Sequence, residues 1–181
     1  MGADPVTFGS LVRSTLVVIL VLVIQSTLGL DLHFWGTHPE LIWLLPVASG
    51  LVAGPARGAF IGFGAGLAAD LLLPTPFGLS ALIGSILGFS TGFIMARTEG
   101  SPWWVSMPIA AAGSAGAVMA YAVIGAVLGQ EQFIDVSLVP IVVVVAVVNA
   151  LFAPVAVRLM TWALPSPELR RPALSTGANR W

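Results

Sequence analysis

The chain contains no cysteine and no lysine, a single tyrosine, two histidines and very little charge of either sign. Without cysteine there is no disulfide, no thiolate nucleophile and no thiolate metal site. Charged residues make up 8% of the 181 positions, against roughly a quarter in a soluble domain. So few charges cannot coat a water-soluble globule. Seven basic residues, all arginine, nearly balance eight acids, which removes the basic face that a nucleic-acid partner needs. What the chain has instead is hydrophobicity: 57% of its residues are apolar and the mean hydropathy is +1.00. Its favourable solvent is hydrocarbon, and at ~20 residues per span the length suits a bundle of about six transmembrane helices. The expected class is an all-α, polytopic membrane helix bundle.

Start and stop signals divide the chain into spans at about 11–30, 39–54, 58–73, 76–96, 102–129 and 137–164. The first run is too long for a signal-peptide core and reads as an uncleaved span. Pro39 opens the second, with Glu40 beside it where a negative charge meets the positive end of the helix dipole. Pro46 predicts a bend there. Pro55 and Arg57 mark a tight turn. Thr75-Pro76 and Ser101-Pro102 each pair a hydroxyl cap with proline at the first helical position. The second and third spans are short, about 16 residues each, and read either as short spans or as a re-entrant hairpin. Residues 1–164 thus form the transmembrane domain, and 165–181 a Pro-, Ser- and Arg-rich tail.

Following the spans from a cytoplasmic N-terminus puts Arg13, Arg57, Arg97, Arg158, Arg170, Arg171 and Arg180 all on the cytoplasmic side, and Asp31, Glu40, Glu131 and Asp135 outside. This is a complete positive-inside pattern with both termini cytoplasmic. Trp35 and Trp43 near one face, and Trp103, Trp104 and Trp162 near the other, suit aromatic belts.

Two features concern packing. Gly58, Gly62 and Gly66 recur at four-residue spacing in the third span, and Gly84, Gly88 and Gly92 in the fourth. Residues four apart share a helix face, so each stripe is a flat groove that lets a second backbone approach. The spacing leaves open whether the stripes meet each other or a partner protein. Asp70 is the only acid inside a span. It lies about one turn from the outer end, where its carboxylate is placed to accept N–H groups around Phe77 and Gly78 and lock the hairpin; the competing reading is proton or cation handling. Gln25 and Asn149 are the other large polar side chains inside spans, and Asn149 should face protein. Small residues such as Ser49, Ser85, Ser90 and Ser114 are expected to bond back to their own helices. Signals for catalysis are thin. Asp31, His33, His38 and Glu40 share one loop at irregular spacing, a pattern more typical of solvated residues than of a metal site. No phosphate loop or nucleophile elbow is present. No cofactor, metal or catalytic residue is expected.

The series Pro39-Glu40-Leu41, Gly58, Gly62, Gly66-Leu67, Asp70-Leu71-Leu72, Pro76-Phe77-Gly78-Leu79 and the Gly84/Gly88 face resembles the bacterial rod shape-determining protein MreD family. The specific part of the resemblance runs from Pro39 to Gly92, with Glu40 standing where the family usually has aspartate. The resemblance implies a non-enzymatic protein of the bacterial cytoplasmic membrane. Its partner would be the bitopic protein MreC, within a peptidoglycan-synthesising elongation machinery that includes MreB filaments, RodA and a class B penicillin-binding transpeptidase. It also implies a fold similar to the substrate-binding subunits of energy-coupling-factor vitamin transporters. A solute-binding transport subunit is therefore the alternative function, although the bulky first span, residues 16–24, lacks the small-residue docking face such a subunit would need.

Overall fold

The computed structural model describes residues 8–31, 40–72, 77–97, 103–127 and 138–164, and every regular element among them is helical. The helices are α1 (Phe8–Asp31), α2 (Leu44–Ala53), α3 (Pro55–Asp70), α4 (Leu79–Met95), α5 (Ser106–Val127) and α6 (Leu138–Ala163); 3-10 turns lead into α2 (Leu41–Trp43) and α5 (Trp103–Val105). The expected tail lies outside the described residues.

Proline placement explains several helix starts. Pro55 occupies the first turn of α3. Pro46, Pro108 and Pro140 are each the third residue of α2, α5 and α6, where an N–H has no intrahelical acceptor. Pro46, where a bend is expected, stands instead in the first turn of α2, after the 3-10 turn Leu41–Trp43, where proline removes no intrahelical bond. The third helix starts at Pro55 rather than residue 58, because Gly54, at φ +81°, makes the whole turn out of α2. It ends at Asp70 rather than residue 73. The fourth starts at Leu79, after Gly78 at φ +94°. The proposed Thr75-Pro76 start lies outside the described residues.

α2 is the innermost element. Every residue from Leu41 to Gly50 is buried. It packs on α3, α4, α5 and α6, and α1 reaches its leading 3-10 turn. Two antiparallel hairpins, α3–α4 and α5–α6, close around it. The outward residues are apolar on all sides, including Leu16 and Leu20 of α1, Phe60 and Phe63 of α3, Phe89 and Phe93 of α4, and Leu151 and Val155 of α6.

α1, α5 and α6 are long and apolar enough to cross a membrane. The helices between them are shorter. At 1.5 Å per residue α3 and α4 measure about 24 and 25 Å, against a hydrocarbon core of about 30 Å. Charge divides along the bundle. Arg13 near the start of α1 stacks on Trp162 near the end of α6, while Arg57 opens α3 and Arg97 follows the end of the antiparallel α4. Glu40, before α2, and Asp70, ending α3, lie at the other end.

Candidate functional site

α3 and α4 form the most extensive helix pair in the structure. Gly58 lies against Gly88, Gly62 against Gly84 and Gly66 against the Ser80–Ala81 backbone, while Gly92 meets the Gly54–Pro55 turn. Each four-residue step along α3 is matched by a four-residue step back along α4. The two stripes therefore face each other. A Cβ at Gly84 would stand 2.5 Å from the Gly62 carbonyl oxygen, and one at Gly92 would stand 2.5 Å from the Gly54 carbonyl carbon. Real Cβ atoms do not approach backbone so closely. α2 joins the same contact through Gly50, whose Cβ position is 2.5 Å from the Gly88 carbonyl oxygen. Approach at this range adds dispersion and Cα–H···O contacts, which hold helices together where apolar surroundings provide no hydrophobic drive.

Asp70 closes the far end of this pair. The residue is 4% exposed. Oδ2 accepts from the backbone N–H of Gly78 at 2.9 Å and of Ala81 at 3.3 Å, and Oδ1 accepts from Ser80 at 3.2 Å. The expected donors lay around Phe77 and Gly78; those found extend one turn further, into α4, and the Phe77 side chain is exposed. The first N–H groups of a helix have no internal partner, so Asp70 caps α4 from the end of α3. At the C-terminus of its own helix a carboxylate is unfavourable by about 0.3–1 kcal/mol. Hydrogen bonds to a charged acceptor contribute about 1.5–3 kcal/mol each, so the cap on α4 outweighs that penalty.

A second polar group gathers around the start of α2. Asn149 of α6, fully buried, donates through Nδ2 to the Glu40 main-chain carbonyl at 3.1 Å and to Ser114 Oγ of α5 at 2.7 Å. The carbonyl can only accept, which assigns the amide orientation. Asn149 Oδ1 is buried and has no hydrogen-bond partner among the described residues. The Glu40 carboxylate makes no backbone cap of the 3-10 turn; instead Oε2 accepts from Trp43 Nε1 at 2.6 Å. Gln25 of α1 takes over the capping role, its Oε1 accepting from the Ile42 N–H at 2.9 Å. Trp43 in turn packs edge-on against Tyr121, ring centroids 6.5 Å apart.

The serines divide. Ser49 donates back to Pro46 O at 3.0 Å as expected, and Ser114 Oγ accepts from Asn149 of α6. Ser114 belongs to a buried stripe of small residues on α5, with Ser106, Ala110 and Ala117, whose three- and four-residue spacing is the signal that points to a helix-facing side. Pro76, His33 and His38 lie outside the described residues, as does the side chain of Asp31. Among the described residues no group of three or more His, Cys, Asp or Glu side chains is placed to hold a metal. No protein-family model, curated protein or solved structure matches the chain.

Two measurements probe the hairpin. Gly62→Ala forces a Cβ into the Gly84 backbone and is expected to destabilise the detergent-solubilised protein by about 2 kcal/mol or more. Gly64→Ala, with nothing within 4 Å, should be neutral or stabilising by up to ~1 kcal/mol. Equal thermal unfolding of the two variants would refute the backbone contact. For Asp70, the asparagine variant turns one acceptor oxygen into a donor facing an N–H and should lose about 1–3 kcal/mol. Asp70→Ala, which strands all three donors, should lose more. An alanine variant as stable as the parent would rule out the capping role.

Proposed function

We propose that the chain is a non-enzymatic scaffold of a bacterial cell-elongation machinery. It crosses the cytoplasmic membrane about six times, with both termini inside, and binds an MreC-like bitopic protein. RodA and a class B penicillin-binding transpeptidase are the further partners the resemblance suggests. The observation that carries the reading is a convergence. Gly58, Gly62, Gly66, Asp70, Gly78, Gly84 and Gly88, part of the series on which the resemblance to MreD rests, meet in one geometric unit, the α3–α4 hairpin. Residues dispersed over thirty positions have a common purpose there, holding two helices at backbone contact with a capped turn. A scaffold needs this kind of rigidity. Because both glycine faces are used inside the bundle, the hairpin serves a partner by keeping its outer surface fixed, not by offering a glycine groove. The segregation of the described arginines to one end of the bundle supports the proposed orientation.

Affinity capture of the tagged full chain from native membranes should recover a bitopic MreC-like protein as a stable partner, and Gly62→Leu or Gly88→Leu should abolish the capture. Recovery of a transporter coupling subunit and its ATPases instead would replace the scaffold by the solute-binding alternative. Reporter fusions give an independent check on topology. A fluorescent protein at either terminus should mature in the cytoplasm, and alkaline phosphatase at either terminus should stay inactive; active phosphatase at one end would overturn the even span count.

A further inference from the structure

We infer that the α1–α6 seam at the arginine-bearing end is a binding site for an anionic phospholipid, whose phosphate is held between Arg13 and Arg158. The inference rests on membrane residence as proposed above, and not on the scaffold role.

The Arg13 guanidinium lies over the Trp162 ring, with Cζ 5.3 Å from its centroid. At that range the ring attracts the guanidinium charge, and a guanidinium carries five N–H donors in a fork that matches phosphate oxygens. Arg158 is four residues before Trp162 and so lies on the same face of α6, about 6 Å further along the axis. Its long stem allows the charge to reach back toward the level of the ring. Arg13, Arg158 and Trp162 are all exposed. The described acids, Asp31, Glu40 and Asp70, all belong to the opposite end of the bundle. Two arginines thus stand on neighbouring helices at one end of the bundle, one of them over Trp162 and the other a helical turn from it on the same face, with none of the described acids at that end. Charge complementarity calls for an anion.

The apolar surface next to this charge pair selects a lipid over a free anion. From Arg13 the exposed face of α1 continues through Leu16, Leu20 and Ile24, and from Arg158 the exposed face of α6 continues through Val155 and Leu151. Each stripe begins at the guanidinium and runs toward the other end of the bundle. A phosphate with acyl chains matches both parts; inorganic phosphate matches only the first.

The test uses the purified full chain in detergent, titrated separately with phosphatidylglycerol and with phosphatidylcholine of the same acyl chains, bound lipid being counted by native mass spectrometry. Phosphatidylglycerol should be retained at least about tenfold more tightly, and Arg13→Gln and Arg158→Gln should each weaken it about fivefold without changing phosphatidylcholine retention. Arg97→Gln, in the turn after α4, should leave retention unchanged. Equal retention of the two lipids by the unmodified chain would overturn the inference without any variant, so it remains testable if a variant fails to fold. So would an Arg97→Gln effect as large as that of Arg13→Gln. Thermal stabilisation by inorganic phosphate equal to that by phosphatidylglycerol would also overturn it, by showing that the acyl chains contribute nothing.

Discussion

Between α3 and α4 the backbones touch, and no side chain separates them. This contact sets the dimensions of the rest of the bundle. It is narrow enough for α2 to enter from the side through Gly50, which is how a short helix comes to be the buried centre. It leaves the phenylalanines of the hairpin, Phe60, Phe63, Phe89 and Phe93, on its outer face, while Ile61, Leu79 and Ile83 are buried. It also brings the end of α3 close enough to the start of α4 for one carboxylate to cap three N–H groups. The cap follows from the approach: with side chains between the helices, Asp70 would be too short to reach Ala81.

The polar interactions share a common cause. α2, α3 and α4 are short helices whose ends lie against the bundle, and each end leaves backbone groups that need partners. Asp70 serves the start of α4, Gln25 serves the 3-10 turn before α2, and Asn149 serves the Glu40 carbonyl. The three polar side chains that stood out in otherwise apolar spans are all committed to helix ends. They act on helix ends remote from the described arginines, whereas the α2–α3 turn at Gly54–Pro55 lies beside Arg57. A proton- or cation-handling role for Asp70 would have to compete with three backbone donors for the same two oxygens.

Much of this was legible in the residues. Four-residue glycine spacing is a local property, and it marked the two contact faces correctly. An acid near the end of a span, followed by Pro, Phe and Gly, announced a capped hairpin. What stayed hidden was non-local. Gln25 is seventeen residues from the amide it caps, and Asn149 is 109 residues from the carbonyl it holds; no pattern in either neighbourhood names the partner. Ser114 reads as able to bond to its own helix, and only the proximity of α6 shows that its Oγ accepts from Asn149. Helix starts moved for a related reason. Glycines at positive φ, Gly54 and Gly78, place the turns, and their conformation is decided by what the flanking helices pack against.

The sequence by itself determined the solvent, the all-helical class, the faces on which helices pack and the segregation of charge, because each depends on composition or on a repeat within one helix. Only the tertiary structure decided that the glycine stripes meet each other in antiparallel register with α2 beside them, and that the buried polar residues cap ends of elements other than their own. Those outcomes depend on which surfaces come within contact distance, and dispersion and hydrogen bonding act only at that distance.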